Sequence, residues 1–172
     1  GPPAETAARL MADGKAVACF AARMEYGPRA LGARSIMASP VRRDINDSLN
    51  ARLDRSEFMP FAPVVHQDNA AELFDIDAVN RYAATFMTIT CGVKPAWAER
   101  IPAAVHVDGT ARPQVIRRDD NPLYADILAA FAAETGIPTC VNTSFNVHEE
   151  PIIHTPEEAA RALVEDRVDN LV

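Results

Sequence analysis

The sequence has few lysines, few cysteines and no long apolar run. A membrane span needs roughly 20 consecutive apolar residues, and no stretch of this chain approaches that length. Nonspecific affinity for nucleic acid comes largely from clustered lysine and arginine, whereas this chain has a net charge of −7 and its lysines are Lys15 and Lys94 alone. We therefore expect neither a membrane protein nor a binder of nucleic acid.

The three cysteines form an odd set, and each has apolar or β-branched neighbours. They lie in the segments AVACF, TITCG and PTCVN, as Cys19, Cys91 and Cys140. Disulfides are rare in the cytosol, and a free buried cysteine behaves as a small apolar residue. The pattern predicts reduced thiols in a cytoplasmic protein, and the N-terminus lacks the basic and apolar regions of a signal peptide.

The composition is that of a globular domain. Hydrophobic residues make up 48% and charged residues 24% of the chain, and a chain of this size buries roughly 70% of its unfolded surface. We expect residues 1–172 to form a single domain. A new apolar run begins at residues 170–172, which we interpret as the end of a piece excised from a longer protein.

Local patterns predict helices that alternate with strands, as in an α/β domain. Gly14 and Gly136 are expected to end two of the helices, and Thr155-Pro156-Glu157-Glu158 has the form of a capping box. The predicted helices span residues 4–13, 44–53, 123–135 and 156–165. β-Branched and apolar runs predict strands at residues 16–20, 35–38, 86–91, 105–107, 114–116 and 139–141, and 94–102 is predicted to be a surface loop.

Positive charge is concentrated in one segment. Residues 23–55 carry seven arginines and no lysine against four acidic residues. The planar guanidinium matches phosphate oxygens in a bidentate manner, so such a cluster is typical of fixed phosphate contacts. Arg29 and Arg34, in a turn bounded by glycine and proline, are the better candidates. A solvated helix face is the alternative for Arg42, Arg43 and Arg52.

Three segments place polar groups at a turn or at the end of a predicted strand. Residues 23–35 read RMEYGPRALGARS, where Gly27 and Gly32 permit close approach of the backbone to a ligand. Residues 105–112 read VHVDGTAR, and residues 140–146 read CVNTSFN, whose amides and hydroxyls suit a carbamoyl group or phosphate oxygens. From the pattern alone, a structural turn is the favoured interpretation of the first two segments, and a run of turn-forming polar residues is the alternative for the third.

The segments RMEYGPRALGARS, FMPFAPVV, IPAAVHVDGTARPQVI and NTSFNVHEEPIIHTPEEA follow one another along the chain. In this order and spacing they resemble the C-terminal domain of the O-carbamoyltransferase family that includes the nodulation-factor, cephamycin and tobramycin enzymes. The likeness extends from about residue 15 to residue 172. It implies a YrdC-like twisted mixed sheet flanked by helices, and an N-terminal actin-like-ATPase domain in the same polypeptide.

The resemblance also implies an activity and a set of site residues. The domain would bind ATP, which brings Mg²⁺, together with carbamoyl phosphate, and would form a carbamoyl-adenylate for transfer to a hydroxyl of a small molecule. Catalytic roles are implied for Arg29 of GPRALG, Arg112 of DGTAR and Ser144 of NTSFN. Further substrate contacts are expected from Arg34, Arg55, Thr110, Asn142, Thr143 and Asn146. The four histidines lack metal-ligand spacing, so we expect no metal held by the protein.

One departure from the family pattern leaves alternatives open. Many relatives carry a lysine and then an arginine before the Pro-Phe-Ala-Pro motif, where this chain has Leu53 and Met59. Arg52 or Arg55 could reach the same space, or the chain binds another acyl phosphate, or binds weakly. The departure favours a second hypothesis, a non-catalytic module that binds an anion and supports the N-terminal domain.

Overall fold

A six-stranded mixed sheet forms the centre of the computed structural model, which describes residues 2–55 and 61–172. Its strands follow the order β6-β3-β7-β2-β1-β8, with β1 parallel to β8 and β3 parallel to β6, and with the other pairs antiparallel. Strands β4 and β5 form a separate pair. The strands are β1 (Val17–Phe20), β2 (Arg34–Ala38), β3 (Ala62–His66), β4 (Cys91–Gly92), β5 (Thr110–Ala111), β6 (Gln114–Ile116), β7 (Thr139–Ser144) and β8 (Asn170–Leu171).

Helices cover both faces of the sheet, which confirms the predicted α/β class. One apolar core joins the sheet to α1 (Pro3–Ala12) and α6 (Pro122–Thr135), and the other joins it to α2 (Asp44–Arg52) and α7 (Pro156–Val164). Side chains of a strand alternate between the two faces, so Val17 and Cys19 belong to the first core and Ala18 to the second. The shorter helices are α3 (Gln67–Leu73), α4 (Arg81–Thr85) and α5 (Pro95–Ala98).

The predicted helix ends are confirmed where a local capping motif defines them. Gly136 follows α6 with a φ of 70°, a conformation that glycine adopts without strain. At the start of α7, the Thr155 hydroxyl accepts from the Glu158 amide at 3.2 Å, and the Glu158 carboxylate accepts from the Thr155 amide at 3.0 Å. Both motifs act within one turn of the chain, so they can be recognised in the sequence.

Two predicted strands and one predicted loop are wrong. In segment 86–91, Phe86 ends α4, Met87 has a φ of 56°, and Cys91 alone enters a strand. In segment 105–107, the chain leaves a 3₁₀ turn and Val107 is fully exposed. A strand needs a partner for its backbone groups, and of these two runs only Cys91 lies in a paired strand, opposite Ala111. Segment 94–102 is not a surface loop, because it contains α5 and because Trp97 is buried in the first core.

The three cysteines are free and buried, as predicted. Burial raises the pKa of the Cys19 and Cys91 thiols to about 11. None of the helices in the described part of the chain is both long enough and apolar enough to cross a membrane.

Candidate functional site

A cavity of about 540 Å³ lies at the edge of the sheet where β7 ends and β3 begins. The fold brings all three polar segments of the sequence to this cavity. Its volume falls within the range of roughly 300–1,000 Å³ that is typical of ligand pockets. Among the sequence-predicted site residues, those that line it are Arg29, Arg55, Arg112, Asn142, Thr143, Ser144 and Asn146.

Arg29 and Arg112 give the cavity its positive charge. Burial lowers the pKa of Arg112, and the like charge of Arg29, which lines the same cavity, lowers it further. Neither has a hydrogen bond or an ion pair with another residue in the ranges 2–55 and 61–172. Surface arginines such as Arg42, in contrast, pair with a carboxylate. Bringing like charges together is unfavourable, and an anion between them would remove that cost.

The third arginine of the cavity, Arg55, contacts the NTSFN segment directly. Its guanidinium donates to Thr143 Oγ1 at 2.5 Å and to Ser144 Oγ at 3.2 Å. It also donates to the carbonyl oxygens of Ser144 and Asn146, at 2.8 Å and 3.0 Å, and to Asn146 Oδ1 at 3.1 Å. The acceptors at the end of β7 are thus occupied by a cation from the same chain.

The family's missing basic residues are partly accounted for by this geometry. Leu53 is buried in the second core and lies outside the cavity, while Met59 lies outside the described residues. Of the two possible replacements, Arg55 reaches the cavity. Arg52 instead forms ion pairs with Asp166 at 3.5 Å and Asp169 at 3.2 Å, both in the segment between α7 and β8.

The loop that carries Arg29 is held by side chains. In the described structure, residues 22–32 make no backbone–backbone hydrogen bond. Instead Glu25 Oε1 accepts from the amides of Leu31 and Ala33, at 2.8 Å and 2.6 Å. Gln114 Nε2 donates to the Leu31 carbonyl at 2.8 Å. The loop therefore depends on Glu25 and Gln114, neither of which lines the cavity.

Asn142 completes this support from beneath the loop. Its Nδ2 donates to the Ala30 carbonyl at 3.0 Å and to Gln114 Oε1 at 2.6 Å. The side chain is almost fully buried, so these bonds form in a weakly polar environment where they fix the loop strongly. Sequence reasoning missed Glu25 and Gln114, because Gln114 and Leu31 are 83 positions apart in the chain. Glu25, within RMEYGPRALGARS, lies in a segment that the motifs had already marked.

Arg34 and Thr110 do not line the cavity, and their predicted contacts with substrate stay predictions. Arg34 is almost fully buried, and its guanidinium donates to the carbonyls of Ala21, Ala22 and Ala33 while it stacks on the Phe20 ring at 3.7 Å. Its charge organises the turn after β1. Thr110 lies behind His106, a cavity residue that the sequence reasoning did not select.

Within the described ranges, no group of three or more histidine, cysteine, aspartate or glutamate side chains is placed to hold a metal ion. A carboxylate does line the cavity, that of the exposed Glu149. With three arginines in its lining against one acidic residue, the site is suited to an anion more than to a bare cation.

The chain belongs to the family described as Carbamoyltransferase C-terminus, whose model matches residues 8–172. The resemblance read from the motifs is thereby confirmed. Nodulation protein NolO of Bradyrhizobium diazoefficiens is 38% identical over 170 residues, which cover 98% of this chain and 31% of that protein. Nodulation protein U of Azorhizobium caulinodans is 42% identical over 139 residues, covering 81% of this chain and 24% of that protein.

The fold is similar to that of a part of HypF. The crystal structure of full-length HypF in its phosphate- and nucleotide-bound form superposes with a TM-score of 0.71 at 17% identity, covering 98% of this chain and 24% of that one. At an identity this low, the superposition shows a shared fold and nothing further. The chain spans about a third or less of the length of the relatives named here.

Proposed function

We propose that this domain binds carbamoyl phosphate and ATP in the cavity and forms a carbamoyl-adenylate. The observation that carries the proposal is the pair of arginines, Arg29 and Arg112, which line one cavity without a carboxylate partner among the described residues. Family membership supplies the chemical class of the anion. Both substrates carry phosphate groups, and guanidinium groups bind phosphate oxygens with short, charge-assisted hydrogen bonds.

The proposed reaction has two balanced steps. Water and carbamoyl phosphate give carbamate and inorganic phosphate. A carbamate oxygen then attacks the α-phosphorus of ATP, forms a new P–O bond and expels pyrophosphate. The second step brings two anions together, carbamate and ATP, and fixed positive charges lower the cost of that approach. Arg29 and Arg112 would provide those charges and hold the reactants in line.

Ser144, Thr143 and Asn146 would contact substrate after Arg55 changes its partners. At present Arg55 donates to the side chains of all three residues. A bound phosphate would compete for its guanidinium, because charge-assisted bonds to phosphate are stronger than bonds to neutral oxygens. The Thr143 and Ser144 hydroxyls keep their own hydrogens when they accept from Arg55, so they would donate those hydrogens to the substrate. Asn142 would keep the Arg29 loop in place throughout.

Mg²⁺ would enter the site with the nucleotide. It typically binds through phosphate oxygens, waters and one or two carboxylates, which suits a cavity with Glu149 as its lining carboxylate. When bound, the ion would neutralise charge on the ATP phosphates. Transfer of the carbamoyl group to a hydroxyl acceptor would take place in the remainder of the longer protein, which we propose to be an actin-like-ATPase domain.

Calorimetric titration with carbamoyl phosphate and with Mg-ATP tests the proposal. We expect Arg29→Ala and Arg112→Ala each to weaken carbamoyl phosphate binding by at least tenfold, since a hydrogen bond to a charged group contributes about 1.5–3 kcal/mol. Arg42→Ala is the matched control, because Arg42 lies on the surface and pairs with Asp44. Equal affinity in the parent chain and in both cavity variants would contradict the proposal.

The alternative is a module that binds an anion and supports the rest of the protein without chemistry. The occupied acceptors of the NTSFN segment favour it, since Arg55 already bonds to groups that a reaction would need. Release of pyrophosphate from Mg-ATP in the presence of carbamoyl phosphate separates the two functions. A module binds without release, whereas the proposed enzyme domain releases pyrophosphate only when both substrates are present.

A further inference from the structure

His106 lines the cavity and belongs to a chain of hydrogen bonds with Thr110 and Asp108. Its Nδ1 lies 2.9 Å from Thr110 Oγ1, and Thr110 Oγ1 lies 2.7 Å from Asp108 Oδ1. The Thr110 amide donates to the same carboxylate oxygen at 3.0 Å. The bonds from the Thr110 hydroxyl and amide lower the pKa of Asp108. At neutral pH Asp108 is thus a carboxylate, which can only accept hydrogen bonds.

These bonds determine which nitrogen of the neutral imidazole carries the hydrogen. A hydroxyl has a single hydrogen to donate, and Thr110 donates it to Asp108. Its oxygen must therefore accept from His106, so Nδ1 carries the hydrogen and Nε2 has a free lone pair. Nε2 has no hydrogen-bond partner in the part of the chain that the structure describes. The neutral ring thus gives this cavity-lining residue a fixed acceptor, beside arginines that can only donate.

The carbamoyl group is distinguished from other small acyl groups by its hydrogen-bond donors. Carbamoyl phosphate and acetyl phosphate have the same phosphate and carbonyl and nearly the same shape, but an amino group in one replaces a methyl group in the other. Guanidinium groups such as those of Arg29 and Arg112 only donate, so they bind the oxygens of both molecules alike. Selection between the two molecules requires an acceptor that meets the amino group.

We propose that His106 Nε2 accepts a hydrogen bond from the carbamoyl amino group and so makes the site selective for carbamoyl phosphate over other acyl phosphates. This role rests on the proposed function, and it assigns to His106 the choice of acyl group. Sites built around a hydrogen bond reject analogues that lack the matching group, because the site's polar atom is then left unpaired. We expect a preference of roughly 5- to 100-fold.

The ratio of two dissociation constants, for carbamoyl phosphate and for acetyl phosphate, tests this role by calorimetry on the 172-residue chain. In His106→Leu the acceptor is absent, and we expect the ratio to fall to within about twofold of unity. In His106→Gln the side-chain oxygen can replace Nε2, and part of the preference should return. The ratio cancels any loss of affinity that is common to both ligands, so a general effect on folding does not imitate the result.

The outcomes separate the two proposals. A parent chain that binds both ligands equally retains the anion site but overturns the role of His106. So does a His106→Leu variant that keeps the full preference. A parent chain that binds neither ligand overturns the proposed function, and the role of His106 with it. Arg42→Ala, a surface variant, should leave the ratio unchanged, since Arg42 pairs with Asp44 outside the cavity.

Discussion

Replacing Gly32 by alanine should destabilise the protein far more than the same change at Gly27. The two glycines flank the Arg29 turn and have nearly equal φ angles, +122° and +126°. An alanine at either position would be strained, at a cost of order 1–3 kcal/mol. A Cβ at Gly27 would have no atom within 4 Å, whereas a Cβ at Gly32 would overlap the Tyr124 ring and lie 2.7 Å from Asn121 Nδ2.

The neighbours of Gly32 have little freedom to move away. Tyr124 is almost fully buried in the first core, and the Asn121 side chain accepts from the Tyr124 amide at 3.0 Å at the start of α6. Overpacking of this kind costs about 1–3 kcal/mol. The strain is common to both variants, so this steric cost is the expected difference between Gly32→Ala and Gly27→Ala.

Urea unfolding measures that difference. For a domain of this size, each kcal/mol corresponds to roughly 2–4 °C in Tm, so thermal unfolding provides a second measurement. Because Arg29 lies three residues before Gly32, Gly32→Ala should also weaken the binding of carbamoyl phosphate. Equal free energies of unfolding for the two variants would refute the argument that Gly32 is required by the packing of α6 against the loop.

Two further predictions concern buried groups. Arg34→Lys should lower the free energy of unfolding by about 1–3 kcal/mol, because an ammonium group cannot replace a planar guanidinium that binds three carbonyls and stacks on an aromatic ring. Arg42→Lys on the surface is the control. Equal urea midpoints for the two variants would contradict the prediction. At pH 7 the native thiols should not react with a disulfide reagent, since burial raises the pKa of Cys19 and Cys91 to about 11 and the thiolate is the reactive form. Unfolded protein should titrate three thiols per chain, and rapid labelling of the folded protein would show that the thiols are accessible.

Much of the candidate site was predictable from motifs that remain contiguous in the chain. GPRALG, DGTAR and NTSFN were expected to supply its residues, and Arg29, Arg112 and Ser144 all line one cavity. Their roles in binding and catalysis stay predictions. Arg34 shows what the motifs leave open: it belongs to the same arginine-rich segment as Arg29, yet its guanidinium is buried against carbonyls of the turn after β1. Sequence proximity does not reveal which of two arginines faces a cavity.

The sequence by itself determined the helix ends that carry capping motifs, the α/β class and the family, because capping motifs and family motifs are local or ordered along the chain. Gly136 and the capping box at Thr155 are examples. Only the tertiary structure decided which apolar runs became strands, since segment 105–107 has the composition of a strand but no partner. It also decided that Gln114 supports Leu31 and that Thr110 orients His106. Such roles arise from distances in space and from burial, which the order of residues does not record.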